Sequence, residues 1–200
     1  MSKGTDTKEV ILKQAAELFN RRGFFGSALS DIMDVTGLEK GGIYNHFKSK
    51  EDLALQAFDY AVDLVRQEIS QAVKDQRHTV DRLRAMMSVF QRQAQGYPLP
   101  GGCPVMNTAV EADDAHPLLR QRAQLAMDEW HHFIRRTVQK GQERGEIKPE
   151  VDPETFAIVL ISTLEGAIMQ SRLYGSQKPM ERAVNYLVDY LEREVRLAQN

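Results

Sequence analysis

The residues with the most chemical content fall in one run, Lys40-Gly41-Gly42-Ile43-Tyr44-Asn45-His46-Phe47-Lys48-Ser49-Lys50. Tyrosine, asparagine and histidine side chains hydrogen-bond base edges or phosphate oxygens, and lysine ammonium groups neutralise phosphates. Two successive glycines leave backbone free to approach a surface closely. The chemistry is recognition of a polyanionic groove. Base edges would fall to Lys40, Asn45 and the face near Gly41, phosphates to Tyr44 and Lys48, and either to His46. Lys50 stands just beyond, where backbone phosphates would lie. Reaction chemistry has no comparable signature. The sequence carries no nucleophile elbow, phosphate-binding loop or metal triad, so neither an enzyme nor a bound cofactor is expected.

These residues need rigid elements to present them, and the elements read as helices. Two short ones, about Ser30 to Thr36 and Glu39 to Phe47, flank Gly37 in the manner of a helix-turn-helix. A first helix, about Thr7 to Arg22, carries Val10, Ile11, Ala15, Leu18 and Phe19 at helical spacing, and Gly23 stops it. Ile32, Val35, Leu38, Ile43 and Phe47 are the expected core of this three-helix module. Further helices are expected over Lys50–Asp75, Val80–Gly96, Pro104–Glu111, Pro117–Arg144, Pro153–Tyr174 and Pro179–Gln199. Prolines stand at helix starts, where a missing N–H costs least. No strand alternation and no internal repeat is visible. The fold class is all-α with about nine helices, an N-terminal module over 1–52 and a helical domain over 53–200.

The stretch Thr36-Gly37-Leu38-Glu39-Lys40-Gly41-Gly42-Ile43-Tyr44-Asn45-His46-Phe47-Lys48-Ser49-Lys50-Glu51-Asp52-Leu53, with Gly23-Phe24 and Ser30-Asp31-Ile32 before it, resembles the TetR family of bacterial transcriptional repressors. The resemblance covers about a quarter of the chain. It implies an operator-binding homodimer whose C-terminal domain binds a small-molecule effector and dimerises. It adds Ser30 to the DNA-contacting set of Lys40, Gly41, Gly42, Tyr44, Asn45, His46, Lys48 and Lys50. A dimer of such modules reads a short palindrome of double-stranded DNA with half-sites about 34–36 Å apart, or somewhat more. Glu39 and the second glycine, Gly42, depart from the small polar residues common there, so the operator sequence is not legible. An architectural DNA-binding protein of the same fold is the alternative.

The last two helices carry apolar residues on more than one face, which suits an inner core and an outer partner surface. The resemblance makes that pair a four-helix bundle with its copy. Ile158, Ile161, Ser162, Glu165, Tyr186, Leu187, Tyr190 and Leu191 are the expected interface. An effector pocket is expected from Met87, Phe90, Tyr97, Met106, Trp130, Phe133 and Met169, with Asn107 and Glu165 as polar groups. Cys103 precedes a helix opened by Pro104. It is either a thiol activated by the helix dipole and sensitive to a thiol-reactive effector, or a packed residue at a helix start. Gly101 and Gly102 leave the accessible reading open. Glu111, Asp113, Asp114 and His116 match no strong metal spacing and serve equally as helix caps, so no metal is expected.

Composition bounds the rest. The 200 residues are 42% apolar and 27% charged with a net charge of −2, so the chain as a whole is not a polycation. Residues 1–52 hold eight basic and eight acidic side chains, so any positive surface there must come from arrangement. A single cysteine excludes an internal disulfide framework. The polar start from Met1 to Glu9 lacks the apolar core of a signal peptide, and no uninterrupted apolar run reaches bilayer length. A soluble cytoplasmic protein with no membrane partner is expected.

Overall fold

The computed structural model describes residues 3–198, which form nine α-helices, a π-helical turn and a single isolated β-bridge. The chain divides into two compact units, 1–64 with 99–125, and 65–98 with 126–200. In the first lie α1 (Lys3–Arg22), α2 (Leu29–Thr36), α3 (Lys40–Tyr44) and α6 (Pro104–Ala112). It also takes the first part of α4 (Lys50–Val73) and of α7 (Pro117–Glu143).

The first unit is built on a small apolar cluster. Ile11, Ala15 and Leu18 line one face of α1 and meet Ile32 from α2, Ile43 from α3 and Leu53 and Ala57 from α4. Phe47 closes the cluster just beyond α3. Burying each large side chain contributes about 1.5–3 kcal/mol, so four helices are held by few residues. Two expected members lie elsewhere. Val10 is 52% exposed and Val35 40% exposed, because each sits one position off its helix's inward stripe. Gly23 (φ 80°) and Gly37 (φ 65°) end α1 and α2 in the left-handed region, which a β-carbon disfavours. Helical hydrogen bonding continues past α3, with Phe47 N donating to Ile43 O at 3.2 Å.

An amide clasp fixes the loop before α6 to the end of α1. The Asn20 side chain donates to Pro100 O (3.0 Å) and Gly102 O (3.1 Å), and the Asn107 amide donates to Asn20 Oδ1 (2.9 Å) and Gly101 O (3.0 Å). The Glu111 carboxylate, at the far end of α6, accepts from Phe24 N and Phe25 N, both at 2.9 Å.

The second unit holds α5 (Thr79–Ala94), α8 (Pro153–Leu173) and α9 (Lys178–Tyr190), with the ends of α4 and α7. α5 and α9 both pack on α8. Its core includes Leu83, Met86, Phe90, Ile134, Leu160, Leu164 and Ile168. Asp152 caps α8 by accepting from Thr155 N at 2.8 Å, with Pro153 as its first residue. The last helix is shorter than its apolar pattern predicts. α9 ends at Tyr190, a π-helical turn spans Leu191–Val195, and an antiparallel bridge joins Ile147 to Arg196. Burial of both Val195 and Ile147 favours this exit over continued helix.

α8 is the one described helix long and apolar enough to cross a membrane, although Glu165 and Gln170 interrupt its apolar residues. Half of the qualifying window is buried within the protein.

Candidate nucleic-acid interface and effector site

The helix-turn-helix presents a polar surface by anchoring its apolar residues behind it. Ile43 and Phe47 point into the cluster, while Lys40, Gly41, Asn45 and Lys48 are exposed and Gly42, Tyr44 and His46 are partly so. The turn is pinned locally. Thr36 Oγ1 donates to Ile32 O (2.7 Å) and accepts from Leu38 N (3.4 Å), and Gly37 N donates to Met33 O (2.8 Å). The start of α2 is fixed by Asp31, which accepts from Ala28 N (2.6 Å) and pairs with Arg22 (3.0 Å). Ser30 is exposed beside it.

Gly41 is the most informative position on this surface. A β-carbon built there meets nothing within 4 Å, and its backbone is helical. Nothing inside the chain requires glycine, so the empty face suits close approach by something outside it. Gly42 is more enclosed, with Leu38 Cβ at 3.5 Å from a β-carbon placed there. The Lys40 ammonium lies 5.9 Å from the Tyr44 ring centroid, a cation–π arrangement that gathers both side chains at one end of α3.

Lys48 and Lys50 differ in placement. Lys48 is exposed, and its backbone N–H donates to Asp52 Oδ2 at 2.8 Å, while Ser49 Oγ accepts from Asp52 N at 3.0 Å. These two bonds cap α4, and the bond from Lys48 N, with one from Gln56, lowers the Asp52 pKa. Lys50 instead turns inward. Its Nζ donates to Phe24 O at 2.7 Å and sits 4.2 Å from the Phe24 ring centroid. Burial lowers its pKa, opposed by the Glu111 and Asp31 carboxylates. In this structure Lys50, expected at a backbone phosphate, makes an internal tie between α4 and the turn after α1.

The expected effector residues fall in both compact units. Cys103, Met106 and Asn107 belong to the first unit, and the other seven to the second. Asn107 is spent in the amide clasp. Cys103 is fully buried and its Sγ accepts from Met106 N at 3.5 Å, the packed helix-start arrangement of the two alternatives. Tyr97 and Met169 are exposed rather than pocket-lining, and the Tyr97 hydroxyl donates to Glu68 Oε1 at 3.1 Å. Met87, Phe90 and Glu165 are buried in the second unit. Trp130 and Phe133 do line a cavity of about 310 Å³, with Ile69, Val73 and Met86. The Phe90 and Trp130 rings pack edge to face at 5.2 Å and stiffen its wall.

The expected partner surface also divides. Ile158, Ser162, Tyr186 and Tyr190 are exposed, whereas Ile161, Glu165, Leu187 and Leu191 face inward. The helical period decides this, since Leu160, Ile161, Leu164 and Ile168 share the buried side of α8. Val159, Leu173 and Tyr174 are exposed apolar side chains that the expectation left out of the interface. The acidic loop has other duties. Glu111 ties the turn after α1, and His116 Nδ1 accepts from Leu119 N (3.3 Å) while its Nε2 lies 3.4 Å from Glu51. Among the described residues no three His, Cys, Asp or Glu side chains gather as a metal site.

Residues missed in the sequence are cations along α7 and just past its end. Arg136, Lys140 and Arg144 recur every fourth position after His132, a spacing that places them on one helix face. All four line a second cavity, of about 650 Å³.

Comparison with known proteins bears on this geometry. Residues 11–57 match the family described as bacterial regulatory proteins, tetR family, and residues 79–187 match the tetracyclin repressor-like C-terminal domain. A TetR transcriptional regulator from Chloroflexus aurantiacus J-10-FL is 50% identical, with TM-score 0.95 over 99% of this chain and 100% of that one. A TetR-family regulator from Cytophaga hutchinsonii is 31% identical, with TM-score 0.90 over 100% and 99% of the two chains. The HTH-type transcriptional repressor DhaR of Mycobacterium sp. (strain GP1) is 26% identical over 94% of this chain and 93% of its own.

Proposed function

The chain belongs to the TetR family of DNA-binding transcriptional regulators, and we propose that it is a ligand-responsive repressor binding a palindromic operator as a homodimer. The observation that carries the reading is the exposed face of α3, where Lys40, Gly41, Tyr44 and Asn45 stand outward over the buried Ile43 and Phe47. That face enters the major groove. Asn45 and Lys40 reach base edges, Tyr44 and Lys48 hold phosphates, and His46 and Ser30 flank them.

A second copy docks on the outer side of α8 and α9. Ile158, Val159, Tyr186 and Tyr190 are exposed there, and an open apolar groove of about 470 Å³ runs between the two helices. Isologous pairing doubles the helix-turn-helix and makes the operator palindromic. A small molecule in the second unit switches the dimer by binding the DNA-incompetent state more tightly than the competent one. Burial of Cys103 favours reversible ligand binding over thiol modification as the trigger.

The test is binding of the purified full chain to DNA flanking its own gene, at two salt concentrations. Saturable binding to a palindrome, weakening steeply with salt and lost in Asn45→Ala with Lys40→Ala, is the expected result. Equal affinity for unrelated duplexes refutes the repressor reading and leaves an architectural one.

A further inference from the structure

The two cavities of the second unit are continuous in their lining, since Arg82, Glu129 and Phe133 contribute to both. Their chemistries are opposite. One is mostly apolar, walled by Ile69, Val73, Met86, Trp130 and Phe133, with Arg82 and the Arg66–Glu129 pair also in its lining. The other presents the cations Arg77, Arg82, Arg136, Lys140 and Arg144, with Glu129 as its one acid. That acid is already neutralised, because Glu129 Oε2 holds Arg66 at 2.8 Å. Five positive side chains thus converge in a protein whose net charge is −2.

Pairing separates these cations from others in the unit. Arg84, Arg92, Arg135 and Arg196 each hold a carboxylate within 3.2 Å. Among the described residues, Arg77, Arg136 and Lys140 close no ion pair, whereas Arg144 lies near the Glu146 carboxylate and helps lower its pKa. Arg82 donates to the carbonyls of Val73 (3.0 Å) and Gln76 (3.4 Å), which fix its guanidinium without cancelling its charge. Like charges gathered in a concave surface repel one another and attract an anion. Volumes of about 310 and 650 Å³ lie within the range of small-molecule sites.

We infer that this composite cleft binds an organic anion with an apolar body, the body lying against Trp130 and Phe133 and the anionic head among Arg77, Arg136 and Lys140. The inference deepens the ligand-responsive reading and rests on it for its regulatory meaning, but not for the binding itself. Guanidinium and ammonium donors give short, charge-assisted hydrogen bonds to carboxylate or phosphate oxygens. The apolar wall selects against inorganic anions, which leave it wet. The cationic mouth selects against neutral amphiphiles, which leave the positive cluster without a counter-charge.

Trp130 is the protein's single tryptophan, so its fluorescence reports this cleft alone. The full chain is titrated with sodium decanoate below its micelle concentration, and separately with decan-1-ol and with inorganic phosphate. The expected result is a saturable change with decanoate, at least tenfold weaker with either of the others, and weakening with added salt. In the double variant Arg136→Ser, Lys140→Ser decanoate affinity falls at least tenfold while helical content and operator affinity are unchanged. Equal response to decanol, equal response to phosphate, no response, or unaltered affinity in the double variant each overturns the assignment. Operator binding is measured on the same samples without ligand. Its absence in the parent protein defeats the repressor reading and leaves the fluorescence result to judge the cleft.

Discussion

Gly41→Ala separates what the fold asks of α3 from what its target asks. Inside the protein the substitution is favourable. The new methyl meets no atom within 4 Å, and the helical backbone of α3 accepts any L residue. Replacing a helical glycine by alanine gains about 0.5–1 kcal/mol, less near a helix end. For a 200-residue chain that gain raises the thermal midpoint by about 1–3 °C. On DNA the sign reverses. The methyl stands where backbone is expected to approach the groove, and displacing one good base contact costs about 1–3 kcal/mol. A loss of about 1.4 kcal/mol is tenfold in affinity. The assays are differential scanning calorimetry and fluorescence anisotropy with the operator duplex, with unrelated DNA as the reference. A stabilised variant with operator affinity reduced tenfold or more is the expected outcome. A variant that binds the operator within twofold of the parent refutes the close approach at Gly41, and a lowered midpoint refutes the open geometry.

Three other perturbations read different parts of the structure. Glu111→Ala removes the shared acceptor of Phe24 N and Phe25 N, and two bonds to a partly exposed carboxylate contribute about 2 kcal/mol. Its thermal midpoint should fall by about 4–8 °C, and a shift under 1 °C shows that water replaces the carboxylate without loss. Glu146 accepts from Thr79 N (2.8 Å) and Thr79 Oγ1 (2.7 Å); burial pushes its pKa up, but these bonds overcome that and the net shift is downward from 4.5. A depressed folded-state pKa contributes stability that is present above 4.5 and lost as pH falls through the folded value. Urea unfolding of Glu146→Gln should therefore differ most from the parent above pH 5 and converge with it in acid, and a constant difference down to pH 3 contradicts the linkage. Tyr186→Asp places a charge on the exposed face of α9 and should yield monomers by analytical ultracentrifugation with operator affinity reduced at least tenfold, whereas an intact dimer moves the interface elsewhere.

The sequence made the helices legible because their signals are local. Gly23 and Gly37 end α1 and α2 at positive φ, Asp152 caps α8, and Ile11, Ala15 and Leu18 keep a strict helical spacing. The outward polar face of α3 was legible for the same reason, since Ile43 and Phe47 are four apart and their burial leaves Tyr44 and Asn45 toward the outside. What periodicity could not give is the fate of residues whose partners are distant in the chain. Lys50 reads as one more cation after α3, yet Phe24, 26 residues earlier, supplies the carbonyl that turns it inward. Glu111 reads as part of an acidic loop, yet it closes on backbone 86 and 87 residues away. The same limit applies to Ile161 and Leu187, which look like partner surface until the packing of α8 on α9 encloses them. The basic cleft falls between these cases. Arg136, Lys140 and Arg144 announce a common face by their spacing alone, but a charged helical face is ordinarily a solvated one. Only the convergence of Arg77 and Arg82 from the start of α5 and the turn before it, with Trp130 and Phe133 alongside, turns that face into a site with a definite ligand chemistry. Periodicity therefore identifies which residues share a face, and tertiary packing decides whether that face meets water, core or ligand.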